Sequence, residues 1–247
     1  MNKPYYLAYE DRYRRVFDAG IPLWGNDPDD PVLVSALTDW VAENSLAGKI
    51  VADFACGEGG CGVILSRLGC IYRGFDIAPS AVAAARARLE EFPDASVTCL
   101  DMVHCDAGEA QSFDAALDCM GLHMLLTDDD RASYLARANR VLKPGAPMLF
   151  FREAYREDAY SGTVSSFAQW KEITGEDYET PQLRSDRDGE GGRTVMIPLV
   201  PARAKNRADY LREMTDAGFL VEHFAESDVS YAIPYSARID VRRPGHQ

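Results

Sequence analysis

The sequence predicts an α/β fold: one doubly wound, seven-stranded sheet, mostly parallel, with an antiparallel C-terminal strand. Three observations predict it. Short apolar runs alternate with helical repeats between residues 31 and 151. A glycine-rich turn, VADFACGEGGCG at 51–62, directly continues the first apolar run. Two closing apolar runs, 219–224 and 232–241, are joined by a link too short for a helical crossover, so they pair antiparallel.

Taken in order, the chain opens on PYYLAYEDRYRRVFDAG, where Tyr6, Tyr9, Tyr13 and Phe17 recur at helical spacing and give a helix with one aromatic face. Residues 1–30 form an N-terminal cover ahead of the core. Pro31 opens a second helix, with Asp29 and Asp30 as capping candidates and apolar residues at 33, 34, 37, 40 and 41. Strands are predicted at 49–55, 70–76, 96–100, 113–118 and 147–151, separated by helices at 60–68, 79–92 and 130–142. The rhythm breaks at Arg152. Residues 152–205 are rich in charge, aromatics, Gly and Pro, too long for a plain connector, and read as a lid or insertion with a hairpin tip at 186–192. A helix at 206–217, ended by Gly218, precedes the final strand pair. The whole chain reads as a single domain.

Composition limits the partners. With 26 basic against 39 acidic residues the formal net charge is −13, which argues against a nucleic-acid substrate and for a small molecule. No apolar stretch is long enough to span a membrane, and the start lacks a secretory h-region, so a cytoplasmic location is expected. The six cysteines form no C-x-x-C pair and the four histidines are scattered, so neither a metal site nor disulfides are expected.

Within the glycine-rich turn, Gly57, Gly59 and Gly62 spell G-x-G-x-x-G, a pattern that cradles pyrophosphate. Asp53 stands only four residues before the first glycine. A carboxylate at that strand end repels a dinucleotide and attracts a cationic head. Asp76, 23 residues later, ends the second strand where an acid holds ribose hydroxyls. S-adenosylmethionine combines an ammonium and a sulfonium with an adenosine, and so suits both acids. The glycines then allow close backbone approach and do not bind an anion.

The stretch 49–151 resembles the Rossmann-like class I S-adenosylmethionine-dependent methyltransferases. VADFACGEGG is similar to that family's first motif, with Ala55 and Cys56 where Gly-Cys is common. GFDIAPSAV, LDM, FDAALDCMGLHML and RVLKPGAPMLF are similar to the motifs that follow, in order. The resemblance implies that Asp53, Ala55, Cys56, Gly57 and Gly59 face the methionine moiety, and that Asp76 takes the ribose. Ile77 and Met102 would flank the adenine, Asp101 would accept from its amino group, and Asp118 and Cys119 would lie beside the sulfonium. Asp53 and Asp76 are otherwise helix caps or solvated acids, and Asp101 a turn cap. The whole chain also resembles azetidine-2-carboxylate synthases of the same fold, which cyclise S-adenosylmethionine and release methylthioadenosine.

On the acceptor side, His123 follows the fourth strand and is either a general base or a histidine packed in its turn. Asp118 and His123 are the catalytic candidates, with Met120 between them facing the acceptor. Tyr6, Tyr9, Tyr13 and Trp24 of the cover, with Tyr155 and Tyr178 of the lid, are candidates to enclose the pocket. Arg152 either holds a carboxylate or lies on the surface.

Overall fold

The computed structural model describes residues 4–185, 192–227 and 235–245. Seven strands build one sheet: β1 Ile50–Phe54, β2 Ile71–Asp76, β3 Ser96–Cys99, β4 Ala115–Cys119, β5 Pro147–Ala154, β8 Leu220–Ser227 and β9 Ser236–Arg242. Their order is β3-β2-β1-β4-β5-β9-β8. The first five run parallel, and β9 is antiparallel to both neighbours. Strand order reverses between β1 and β4, the place where an open α/β sheet leaves a crevice beyond its strand ends.

Helices cover both faces. A turn at Tyr5–Leu7 leads into α1 (Ala8–Asp18), whose Tyr9, Tyr13 and Val16 are buried. The Glu10 carboxylate accepts from the Ser80 amide (3.0 Å) and hydroxyl (2.7 Å), anchoring α1 to the start of α4 (Pro79–Arg88). Helix α2 (Pro31–Glu43) is capped by Asp30, which accepts from the Val32 amide, and Pro31 sits at its first turn, as expected. Helix α3 (Gly60–Arg67) follows the glycine turn. Helix α4 stops at Arg88, short of the expected residue 92, and Pro93 disfavours helical backbone at Phe92 itself. Helix α5 (Asp128–Val141) starts two residues early, with the Thr127 hydroxyl accepting from the Asp130 amide. Its three first-turn aspartates suit the positive helix end.

Strand β5 runs three residues beyond the expected Phe151. Glu153 and Ala154 pair with Ala237 and Ser236 across a bulge at which Arg152 takes a φ of 59°. The insertion contains α6 (Phe167–Thr174) and an antiparallel pair, β6 (Gln182–Ser185) with β7 (Thr194–Ile197). The expected hairpin tip lies outside the described residues, apart from Gly192. Helix α7 (Arg207–Asp216), capped by Asn206, returns the chain to the sheet. Among the described residues no helix is long and apolar enough to cross a membrane.

Candidate functional site

The turn after β1 is held open by backbone conformation. Ala55, Gly57 and Gly59 all have positive φ (54°, 53° and 81°). The Cys56 amide donates to the Phe75 carbonyl at 3.0 Å. The Gly57 amide donates to Asp76 Oδ2 at 2.8 Å, while Asp76 Oδ1 accepts from the Ala78 amide at 2.8 Å. Asp76 therefore ties the glycine turn to the tip of β2. Of the three glycines only Gly57 lines a cavity, and a Cβ there would lie 2.8 Å from Tyr13 Oη. Gly59 instead packs on Ala85 of α4, and Gly62 lies under the Tyr72 ring, where a Cβ would sit 2.6 Å from it. Gly59 is a packing glycine rather than a ligand contact.

Two adjoining cavities lie over this turn. The narrow one, about 60 Å³, is lined by Tyr6, Tyr9, Tyr13, Ala55, Asp76, Ile77, Asp101 and Met102. Tyr6 Oη donates to Asp101 Oδ2 at 2.9 Å, and Asp101 Oδ1 accepts from the Val103 amide. The wide cleft, about 700 Å³, shares Tyr9, Tyr13 and Ala55 with it. Its walls add Trp24, Cys56, Gly57, Cys119, Met120 and His123, all named from the sequence. Arg12, Asn26 and Glu58 line the same cleft without having been singled out, as do Leu183 and Arg184 of β6. Glu58 lies inside the glycine motif, and Arg12 stands beside Tyr9 and Tyr13 on α1, so both had a signal. The β6 residues had none, since nothing local says which way an insertion folds.

Beneath the cleft lie three buried carboxyl groups. Asp53, 1% exposed, lines neither cavity: it accepts from Tyr72 Oη at 2.6 Å, and burial pushes its pKa to about 8. Asp118, fully buried, also lines neither. It accepts from Tyr134 Oη and the Gly121 amide, both at 2.6 Å. Burial and the neighbouring Glu153 raise its pKa well above the ordinary range. Glu153 accepts from the His123 amide at 2.8 Å and meets His123 Nδ1 at 2.9 Å, and burial lifts it to about 7. Its other oxygen has no donor, which suits a proton shared with Asp118. Asp53 and Asp118 are thus corrected from ligand-facing acids to buried ones under the turn. Burial lowers His123 to about 4 and keeps its ring neutral.

Three residues of the expected enclosure line neither cavity. Arg152, 3% exposed, is ion-paired to Asp30 at 2.5 Å, so its charge is engaged by the cap of α2. The Tyr155 hydroxyl bonds Glu157 and Glu226 on the far side of β5, and Tyr178 packs edge-on against Phe167 with ring centroids 5.1 Å apart. Each misplacement has the same origin. The partner lies far away in sequence or in an insertion without periodicity.

Residues 51–145 match the family model for a methyltransferase domain. The biotin biosynthesis bifunctional protein BioHC of Saccharophagus degradans is 30% identical over 119 residues, which is 48% of this chain. The match spans 20% of that relative's length. Among solved structures, the [4+2]-cyclase SpnF superposes with a TM-score of 0.67 at 18% identity, covering 100% of this chain and 98% of that one. Magnesium protoporphyrin IX methyltransferase from Synechocystis PCC 6803, solved with bound SAH, gives 0.64 at 16% identity, covering 97% and 100%. Burkholderia thailandensis 1,6-didemethyltoxoflavin-N1-methyltransferase gives 0.63 at 14% identity, covering 99% and 93%. The ordered motifs and the sheet order agree with the family match: residues 51–145 are similar to a methyltransferase domain, and the sheet has the order and direction that such domains share.

Proposed function

We propose that this protein methylates a small-molecule acceptor seated in the wide cleft. The observation that carries the reading is the pairing of cavities: a narrow, two-carboxylate cavity shares wall residues Tyr9, Tyr13, Ala55 and Met124 with a wide, mostly uncharged cleft. The residues present fit the cofactor. Asp76 and Asp101 offer carboxylates for the ribose hydroxyls and the adenine amino group, with Ile77 and Met102 against the ring. Gly57 keeps a bare backbone at the wall beside Ala55 and Cys56, where a side chain would collide with Tyr13. Bound there, S-adenosylmethionine supplies an electrophilic methyl group.

The chain's own residues do the rest. Cys119, Met120 and the aromatic rings of Tyr9, Tyr13 and Trp24 exclude water from the cleft. His123 is neutral, its Nδ1 bound to Glu153, and its Nε2 makes no hydrogen bond among the described residues. Nε2 is therefore available to take the acceptor's proton, and Glu153 steadies the imidazolium so formed. Residues 1–30 serve as the cover of this pocket and 152–205 as its lid. Two of the similar solved structures are, by name, methyltransferases of magnesium protoporphyrin IX and of 1,6-didemethyltoxoflavin, which supports a small-molecule acceptor.

A second reading is favoured by Asp53. An ionised carboxylate near the cofactor's amino group would hold it as an ammonium. Asp53 is instead sealed beneath the turn and, at a pKa of about 8, mostly protonated at neutral pH. Cyclisation of S-adenosylmethionine as substrate, giving azetidine-2-carboxylate and methylthioadenosine, is thereby relieved of one obstacle. The pocket itself is tested by calorimetry: S-adenosylhomocysteine binds and NAD does not. The reverse result ends both readings.

A further inference from the structure

The wide cleft has its own charge pattern, opposite in sign to that of the chain. The protein carries a formal net charge of −13, yet among the described residues the cleft's charged side chains are Arg12, Arg184 and Glu58. Glu58 is 2% exposed and fully engaged, its two oxygens accepting from the Trp24 amide at 3.2 and 3.0 Å and the Gly25 amide at 2.6 Å. Arg12 is the opposite case. Its guanidinium carbon lies 4.9 Å from the Tyr9 ring centre, 5.9 Å from Tyr13 and 6.0 Å from Trp24. It makes no hydrogen bond or ion pair among the described residues, and its Nε is buried without a partner.

Stacking on aromatic faces fixes the plane of a guanidinium but satisfies none of its five N–H donors, which point outward along its edge. A planar group held this way is preorganised for a planar, two-oxygen acceptor. Arg12 also sits close enough to Tyr9, Tyr13, Glu58 and His123 for its charge to act on all four. It lines the same cleft as the glycine turn and the candidate base. Arg152, the arginine whose sequence position suggested anion binding, is already paired with Asp30.

We infer that Arg12 is the anion-recognition residue of the wide cleft and that its ligand is a carboxylate of the bound small molecule. This rests on the reading of the pocket given above. The carboxylate comes either from the methionine end of the cofactor or from the acceptor, and the test separates the two.

The first arm measures, by calorimetry, binding of S-adenosylhomocysteine and of its decarboxylated counterpart, which differ only in the carboxylate. If the cofactor supplies the group, wild type prefers the acid by on the order of 10–100-fold and Arg12→Gln erases that preference. The second arm uses protein saturated with S-adenosylhomocysteine and measures the thermal shift caused by benzoate against benzamide. If the acceptor supplies the group, benzoate alone raises the melting temperature, and Arg12→Gln abolishes the shift without changing the first arm. Arg12→Lys keeps the charge without the fork and restores part of either effect. Both comparisons are made within one folded variant, so a loss of stability does not imitate them. Should neither comparison respond to Arg12→Gln, the assignment falls. If wild type binds no S-adenosylhomocysteine, the functional reading fails, and the benzoate arm on free protein still decides Arg12.

Discussion

One oxygen of Glu153 meets both the backbone N–H and the ring Nδ1 of His123, at 2.8 and 2.9 Å. This double contact, with the Ala154 amide 3.3 Å from the same Nδ1, fixes the ring's rotation, and in the tautomer that donates from Nδ1 to an ionised Glu153, Nε2 is the basic nitrogen. His123→Ala is expected to slow turnover by about 10²–10⁴-fold while leaving S-adenosylhomocysteine affinity nearly unchanged. Glu153→Gln keeps the shape, loses the charge, and moves the acid limb of the rate–pH profile. Steady-state kinetics across pH checks both, and full turnover in His123→Ala removes it from the reaction.

The same pair sets a pH signature in stability. Glu153 is raised from 4.5 to about 7 in the folded state, so its contribution is fully present below pH 4.5 and is lost as pH rises through 7. His123 is lowered from 6.5 to about 4, so its contribution is present above pH 6.5 and is lost as pH falls toward 4. Glu153→Gln deletes only the first effect. Relative to wild type, the variant gains stability between pH 4.5 and 7, by roughly 3 kcal/mol at one pKa unit per 1.36 kcal/mol. Denaturant midpoints at pH 5 and pH 8 measure it, and a pH-independent difference contradicts the assigned shift.

Asp76 serves two purposes, tying the glycine turn through the Gly57 and Ala78 amides and lining the narrow cavity. Asp76→Asn keeps an acceptor toward one of those amides and removes the charge offered to the ribose. Cofactor affinity is expected to drop by about 1.5–3 kcal/mol in a folded variant, the range for a hydrogen bond to a charged group. Unchanged calorimetric affinity takes Asp76 out of the site.

Gly62 and Tyr72 are coupled by contact, since a Cβ at Gly62 would enter the Tyr72 ring whose hydroxyl serves Asp53. Gly62→Ala is expected to cost about 1–3 kcal/mol of stability through overpacking. Tyr72→Phe leaves the Asp53 carboxyl without its donor and costs a similar ~1–3 kcal/mol, with little change in cofactor affinity. Thermal melts and calorimetry separate the two effects. A large affinity loss in a stable Tyr72→Phe variant returns Asp53 to the binding site.

What was legible in the sequence was local or periodic. The alternation of apolar runs located all seven sheet strands, and capping residues located the start of α2. Ile77, Asp101, Met102, Cys119 and Met120 fell on the cavities because they end or follow parallel strands, where side chains converge. What was not legible depends on distant partners. Strand β5 outruns its apolar stretch because β9, more than 80 residues on, pairs with it to Ala154. Arg152 meets Asp30 across 122 residues, and no local pattern announces such a contact. Asp53 keeps its motif position, yet burial depth, which no spacing encodes, decides whether it touches a ligand.

The central claim, methyl transfer from S-adenosylmethionine, is tested most directly by following the cofactor's methyl carbon. Purified protein is incubated with methyl-labelled S-adenosylmethionine, alone and with small carboxylic acids bearing a nucleophilic O, N or C atom. The nucleoside product is then identified by mass. The expected result is S-adenosylhomocysteine formed only when an acceptor is present, with the label on that acceptor. Methylthioadenosine that retains the label, released with no acceptor added, contradicts methyl transfer.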